Sequence, residues 1–253
     1  MDLGLRGRRA LVTGSTKGIG RAIVEVLAAE GADVAICART PEEVDNAVAE
    51  LLGTGVRAIG RAVDVGDGEK LSSWVVDAAE LLGGLDIVVA NVSALAIPDN
   101  PENWRTSFEV DLMHTVRLVE AALPYLERSD AGSIVTVSSV SGREIDFTAG
   151  PYGTFKAALI HYTQGLAYQL AGKNIRANTV SPGNTYFPGG VWASIEQNDP
   201  ELFNHALGLN PTGRMAKPEE IAKAVVFAAS PAIPFMTGTN IVVDGALTRG
   251  VQF

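Results

Sequence analysis

Short runs of apolar, often β-branched residues alternate with longer amphipathic stretches from one end of the chain to the other. Because the short runs lack a polar face, they predict strands that are buried on both sides of a parallel sheet. The amphipathic stretches have helical periodicity and would cover the two faces of that sheet. The predicted strands are residues 10–13, 34–37, 56–63, 87–90, 134–138, 177–180 and 241–243, and the predicted helices are residues 19–29, 41–52, 69–82, 104–126, 152–170 and 218–230.

This alternation predicts an α/β protein with one doubly wound, mostly parallel sheet of seven strands and helices on both faces. No linker or short repeat divides residues 1–253, which indicates a single domain. Residues 182–211 interrupt the alternation after the sixth strand and are rich in Gly, Pro, Asn and aromatic side chains. Since ligands of such sheets bind beyond the carboxyl ends of the strands, we predict that this segment is a substrate lid.

Composition excludes several classes of protein. The chain has 20 Lys and Arg against 29 Asp and Glu, a net charge of -9, which opposes binding to nucleic acid or to an acidic membrane surface. No apolar stretch reaches the ~18 residues that span a bilayer. The single Cys37 and an N-terminus without a signal-peptide pattern predict a cytoplasmic protein. The three histidines lack metal-ligand spacing, so no metal site is predicted.

A glycine-rich turn joins the first predicted strand to the first predicted helix. It reads Thr13-Gly14-Ser15-Thr16-Lys17-Gly18-Ile19-Gly20. The N-terminus of a helix presents unpaired N–H groups and a partial positive charge, and small residues let a pyrophosphate approach that backbone. The turn therefore predicts a dinucleotide site, whereas a tight strand-to-helix turn without a ligand is the alternative.

The end of the second predicted strand indicates which nicotinamide dinucleotide would bind. It reads Ile36-Cys37-Ala38-Arg39-Thr40 and has no carboxylate, the group that usually binds the ribose hydroxyls of NAD. Arg39 and Lys17 could instead bind a 2′-phosphate, which favours NADP(H) while leaving NAD(H) possible. Alternatively, both are ordinary solvated surface cations.

A tyrosine and a lysine are spaced to meet on one helix face. Tyr152 and Lys156 lie one helical turn apart, and an ammonium near a phenol lowers the phenol pKa toward neutrality. Tyr152 is thus a candidate general acid and base. Ser139 follows a predicted strand, where its hydroxyl could lie beside a substrate carbonyl. Without Ser139, an exposed helix pair would be the simpler interpretation.

Several motifs in this order resemble the short-chain dehydrogenase/reductase family, in its compact single-domain branch that includes the beta-ketoacyl carrier-protein reductases. The resemblance covers essentially the whole chain and implies a Rossmann-type fold and a homotetramer or dimer. Its motifs are the glycine turn, Asp64-Val65, Asn91, Ser139, the Tyr152/Lys156 pair, Pro182-Gly183 and Val243-Asp244-Gly245.

The resemblance also implies roles for individual residues. Asp64 would hold the adenine amino group, Asn91 would lie near the nicotinamide-side ribose, and Lys156 would hold the hydroxyls of that ribose. The implied cofactor-binding residues are Gly14, Ser15, Thr16, Lys17, Gly18, Ile19, Gly20, Arg39, Asp64, Val65, Asn91, Tyr152, Lys156, Pro182, Gly183 and Thr185. The implied catalytic residues are Ser139, Tyr152, Lys156 and Asp111, and the substrate-binding candidates are Ser139, Tyr152, Phe187 and Trp192.

Three positions depart from the family pattern. Asp111 stands where relatives usually have Asn and cannot donate an amide N–H, which calls a water-mediated proton relay into question. Asn91-Val92-Ser93 replaces Asn-Ala-Gly, and the Thr expected soon after Pro182-Gly183 is shifted to Thr185 or absent.

The expected reaction is NADPH-dependent, reversible reduction of a ketone or aldehyde to an alcohol. Three alternatives remain: an NAD-dependent sugar or polyol dehydrogenase, a carrier-linked beta-ketoacyl reductase, and a catalytically weak NADP(H)-binding redox sensor. Apolar residues in the loops that would overhang the nicotinamide predict an uncharged, bulky carbonyl substrate. These residues are Leu95, Ile145, Phe147, Tyr186, Phe187 and Trp192.

Overall fold

The computed structural model describes residues 1–251. Its strands are β1 Arg9–Thr13, β2 Asp33–Ala38, β3 Ala58–Ala62, β4 Ile87–Ala90, β5 Ser133–Val137, β6 Arg176–Pro182 and β7 Asn240–Val243. Its α-helices are α1 Gly18–Ala29, α2 Pro41–Leu52, α3 Gly68–Leu82, α4 Pro101–Ser107, α5 His114–Leu126, α6 Pro151–Leu170, α7 Val191–Asn198, α8 Pro200–Gly208 and α9 Pro218–Ala229.

The strands form a seven-stranded parallel sheet in the order β3-β2-β1-β4-β5-β6-β7. Leu11 at the centre of β1 pairs with Ala35 of β2 on one side and with Val88 of β4 on the other. The strand order reverses at this point, so the loops after β1 and β4 diverge and leave a crevice at the carboxyl edge. The predicted α/β class and doubly wound sheet are confirmed.

Apolar side chains on both faces of the sheet are buried, which explains why the strands lack a polar face. Successive residues of β1 alternate between two core layers, with Leu11 in one and Val12 in the other. Helices α1, α2 and α9 cover the face of Val12, and α3, α5 and α6 cover the face of Leu11. Within residues 1–251, no helix is long and apolar enough to cross a membrane.

The structure divides the helix predicted over residues 104–126 into shorter segments, so the prediction of one continuous helix was wrong. Asn100 caps α4 with its side chain and Pro101 occupies the first turn. A π-helical segment, Phe108–Met113, then separates α4 from α5. A π-helical turn holds more residues than an α-helical turn and is frequent at functional sites. Apolar periodicity does not reveal it, because the apolar residues continue through the segment.

The segment over residues 182–211 contains two short helices, α7 and α8. Together with a nearby methionine they form a small apolar cluster separate from the two main layers, with buried members Trp192, Ala206 and Met215. Trp192 also contacts Phe147 from the loop after β5, with ring centroids 6.1 Å apart. The segment therefore packs beside the carboxyl edge of the sheet, where the lid was predicted.

Candidate active site

The glycine turn after β1 brings the N-terminus of α1 close to the strand. Gly14 and Gly18 have positive φ angles of 66° and 54°, a region that favours glycine. A Cβ on Gly20 would collide with the Gly14 carbonyl, so the third glycine permits this close packing. The Lys17 side chain does not cap α1, which leaves the first N–H groups of the helix available to an anion. These features fit a dinucleotide pyrophosphate.

Asn91 secures the turn from the end of β4. Its side-chain Nδ2 donates to the carbonyls of Thr13 and Gly14, at 3.2 and 3.1 Å, and its backbone N–H donates to Thr13 Oγ1. Ser15 is fully buried and its hydroxyl contacts the carbonyls of Val12 and Cys37. Ser15, one of the predicted cofactor residues, is therefore bound within the turn, because its backbone N–H also donates to the Cys37 carbonyl at 3.2 Å.

A cavity of about 590 Å³, here called the β2 cavity, lies at the ends of β1, β2 and β3. The structure brings most of the residues predicted for the adenosine half of the cofactor to its wall. Asp64 also accepts a hydrogen bond from the Gly66 N–H through Oδ1, at 3.0 Å. The lining residues that the sequence predicted are Gly14, Thr16, Lys17, Arg39, Asp64, Val65 and Asn91.

A second cavity of about 260 Å³, the tyrosine cavity, lies beyond β4, β5 and β6. It shares Lys17, Asn91 and Ser93 with the β2 cavity, so the N-terminus of α1 stands between the two. The predicted residues on its wall are Ile19, Gly20, Ser139, Tyr152, Lys156, Pro182, Gly183, Thr185, Phe187 and Trp192.

Ser139, Tyr152 and Lys156 meet in the tyrosine cavity because a tight turn packs directly on α6. A Cβ on Gly142 would lie 2.7 Å from the Lys156 backbone, so only glycine fits there without displacement. Ser139 caps this turn and its Oγ accepts from the Ser141 N–H at 3.2 Å. Lys156 is 2% exposed and lies with its Nζ 5.7 Å from the Tyr152 ring centroid.

The Lys156 ammonium is directed to the protein interior. Its Nζ donates to the Val137 carbonyl at 3.1 Å and lies 3.7 Å from Asp111 Oδ1. Asp111 belongs to the π-helical segment, is fully buried, and has no hydrogen-bond partner for either carboxylate oxygen within residues 1–251. Burial lowers the pKa of Lys156, whereas the Asp111 carboxylate opposes that shift. The two side chains thus form a buried ion pair.

The expected lowering of the Tyr152 pKa is wrong for this arrangement. The pKa of Tyr152 is raised to about 12, chiefly by burial and also by the Asp111 and Asp146 carboxylates. A hydrogen bond with Ser139 acts in the opposite direction. The physical reason is burial, because an enclosed phenol loses the hydration that would stabilise its phenolate, and the two nearby carboxylates oppose a further negative charge.

The predicted substrate residues are only partly brought together. Leu95, Phe147, Phe187 and Trp192 line the tyrosine cavity. Ile145 is 88% exposed, and the Tyr186 hydroxyl donates to Glu196 at 2.6 Å; neither residue lies on the wall. These two expectations were wrong, because the Ile145 side chain projects into solvent and Tyr186 packs against Phe203 of α8, with ring centroids 6.1 Å apart. A hydrophobic loop sequence does not reveal these directions.

Two carboxylates that the sequence did not suggest also line the cavities. Glu43, in the first turn of α2, lines the β2 cavity, although β2 itself ends without an acid. Asp146 lines the tyrosine cavity and accepts a hydrogen bond from Ser141 Oγ at 2.6 Å. Acidic residues are common in first helical turns and polar loops, so neither position stood out.

Comparison with known proteins agrees with this geometry. The family model described as Enoyl-(Acyl carrier protein) reductase matches residues 14–248. Isoepoxydon dehydrogenase patN of Penicillium expansum is 40% identical over an alignment of 258 residues, which covers 100% of this chain and 99% of that protein. Dehydrogenase/reductase SDR family member 4 of Bos taurus is 36% identical over 248 residues, covering 95% of this chain and 87% of the relative.

A solved structure shows the same likeness in three dimensions. The 3-oxoacyl (acyl-carrier-protein) reductase of Agrobacterium tumefaciens C58, solved with NADP bound, superposes with a TM-score of 0.88 at 32% identity. The match covers 96% of this chain and 95% of that chain. Together with the ordered motifs, these similarities show that the chain belongs to the short-chain dehydrogenase/reductase family of oxidoreductases.

Proposed function

We propose that this protein is an NADP(H)-dependent oxidoreductase that interconverts a ketone or aldehyde and the corresponding alcohol. One observation carries the proposal: Ser139, Tyr152 and Lys156 meet in a cavity that adjoins the uncapped N-terminus of α1. A serine hydroxyl, a transferable phenol proton and a cation near an anion-binding helix end are what carbonyl reduction by a bound dinucleotide requires.

Each side chain has a separate task in reduction. The bound cofactor would supply the hydride that adds to the carbonyl carbon. Tyr152 donates its phenolic proton to the carbonyl oxygen as that oxygen gains negative charge, and solvent later restores the proton. Ser139 donates a hydrogen bond to the same oxygen, and Lys156 stabilises the resulting phenolate. In oxidation the same groups act in reverse.

The choice of NADP(H) rests on the β2 cavity. Lys17 and Arg39 both line it, and each can donate to a phosphate. The NADP bound to the Agrobacterium tumefaciens relative supports the same choice. NAD(H) remains the alternative, which Glu43 favours because carboxylates accept hydrogen bonds from ribose hydroxyls.

The substrate we propose is an uncharged carbonyl compound of moderate size. Leu95, Phe147, Phe187 and Trp192 give the tyrosine cavity an apolar wall, and Asp146 would repel an anionic substrate. The proposal is tested by measuring the rate of NADPH oxidation with hydrophobic ketones, aldehydes, beta-ketoesters and sugar acids as substrates. The same measurements are repeated with NADH. A tenfold or so (~1.4 kcal/mol) preference in kcat/KM for an anionic substrate would reject the apolar-pocket assignment. Binding of NADPH without turnover of any class would favour the redox-sensor alternative.

Replacing Arg39 with Ala is expected to raise the KM for NADPH about tenfold more than the KM for NADH. Only NADPH carries the 2′-phosphate that the guanidinium would contact. Steady-state kinetics with both nucleotides measures the difference. Arg105→Ala, on α4 and outside the β2 cavity lining, is the matched control for a lost positive charge. Equal changes in both KM values would show that Arg39 does not distinguish the nucleotides.

Replacing Asp111 with Asn is expected to shift the pH profile of alcohol oxidation to lower pH. Oxidation needs the Tyr152 phenolate, and removing the buried negative charge near the phenol favours that anion, so the pKa of Tyr152 falls. The measurement is kcat/KM for the alcohol against pH. Asp45→Asn, on the exposed side of α2, is the control. An unchanged profile, or a shift to higher pH, would contradict the assigned role of Asp111.

A further inference from the structure

Glu43 occupies the place where Lys17 and Thr16 would otherwise be free to hold a ligand. Its Oε1 lies 2.8 Å from Lys17 Nζ, and its Oε2 accepts a hydrogen bond from Thr16 Oγ1 at 3.1 Å. All three residues line the β2 cavity together with Arg39. The carboxylate thus contacts one of the two cations that were assigned to the 2′-phosphate.

The charges on the wall of the β2 cavity cancel. Lys17 and Arg39 are positive, and Glu43 and Asp64 are negative. The hydrogen bond with Lys17 lowers the pKa of Glu43 below its ordinary value, so the side chain is ionised at neutral pH. The cavity is therefore not the strongly cationic site that Lys17 and Arg39 alone predict.

We propose that Glu43 determines cofactor selectivity by competing with the 2′-phosphate of NADP(H) for Lys17 and Thr16. The inference rests on the proposed dinucleotide binding and adds to it. A 2′-phosphate carries only acceptor oxygens and negative charge, so it must displace the carboxylate to reach these donors. A ribose 2′-hydroxyl can instead donate to the carboxylate. Glu43 therefore weakens the binding of NADP(H) relative to that of NAD(H). The difference between the two affinities becomes smaller, and NAD(H) can also bind.

Glu43→Gln separates the charge from the shape of this side chain. The amide has nearly the same size, its oxygen can still accept from Lys17 and its NH2 can donate to the Thr16 hydroxyl, but it carries no charge that repels a phosphate. The matched control is Glu42→Gln, which removes the same charge from the adjacent, exposed position of α2 that lies outside the cavity lining. A general charge effect would appear in both variants, whereas competition would appear only in Glu43→Gln.

The experiment measures binding to the ligand-free protein and does not depend on turnover. Isothermal titration gives Kd values for adenosine 2′,5′-bisphosphate and for 5′-AMP, and nucleotide fluorescence gives those for NADPH and NADH. Glu43→Gln is expected to lower the Kd for adenosine 2′,5′-bisphosphate and for NADPH by about five- to tenfold. The Kd values for 5′-AMP and NADH should stay unchanged or rise. Glu42→Gln should change all four by less than about twofold. Because the site is partly exposed, 0.5 M KCl should reduce the gain.

Three results would overturn the inference. Equal effects of Glu43→Gln and Glu42→Gln would show that only total charge matters. Equal tightening of phosphorylated and unphosphorylated ligands by Glu43→Gln would show that Glu43 does not select between them. A wild-type protein that bound neither NADPH nor NADH would reject the proposed function together with the inference, whereas the first two results leave dinucleotide binding intact.

Discussion

Tyr152→Phe is expected to lower kcat by about a hundred- to ten-thousandfold, the range that a general acid contributes, with NADPH affinity within about twofold of wild type. Phenylalanine keeps the ring that forms part of the tyrosine cavity, but it has no proton to donate to the carbonyl oxygen. Steady-state kcat and a fluorescence titration of NADPH measure the two quantities separately. The expected pattern is therefore intact binding without turnover.

Tyr162→Phe is the matched control for this substitution. Tyr162 lies on the same helix, α6, is also partly buried, and is not part of the tyrosine cavity lining. It should retain kcat within about twofold, because its hydroxyl takes no part in proton transfer. A Tyr152→Phe variant with near-normal kcat would remove Tyr152 from the mechanism.

The second large effect concerns the buried pair of Lys156 and Asp111. Lys156→Met is expected to lower the free energy of unfolding by about 3–5 kcal/mol, because it leaves the Asp111 carboxylate buried without its countercharge. It should also reduce kcat by about a hundredfold or more, since the phenolate of Tyr152 loses its stabilising cation. Urea unfolding and steady-state kinetics measure these two losses.

The double variant Lys156→Met/Asp111→Asn distinguishes stability from catalysis. Removing the second charge should recover most of the lost stability, whereas kcat should stay low because no ammonium has been restored. Lys173→Met is the control: it breaks an exposed pair with Glu127, 2.6 Å apart, and should cost less than about 1 kcal/mol. A double variant as unstable as Lys156→Met, or one with recovered kcat, would contradict the assignment.

Features that depend on residues close together in the sequence were predicted well. The order of strands and helices follows from apolar periodicity, and all seven strands lie within a few residues of the predicted ranges. The turn from Thr13 to Gly20 and the pair Tyr152 and Lys156 were recognisable for the same reason. A helix places residues four apart on one face wherever it packs in the protein.

Continuity and side-chain direction were predicted less well. The division of residues 104–126 by the π-helical segment left the apolar pattern unbroken, so periodicity did not detect it. Ile145 and Tyr186 have the same apolar or aromatic character as Phe147 and Phe187, yet only the latter two face the tyrosine cavity. Loop geometry decides this direction, and composition does not encode it.

The sequence by itself determined the doubly wound sheet, the glycine-rich turn and the residues that meet beside Tyr152. Only the tertiary structure decided the charges around them. Asp111 neutralises Lys156 across two helices, and Glu43 reaches Thr16 although they are 27 positions apart. Electrostatic interactions depend on distance in space and on burial, and both are set by packing across the sheet. The order of residues along the chain therefore identifies the chemical groups of this site, while the fold sets the charges and the burial that surround them.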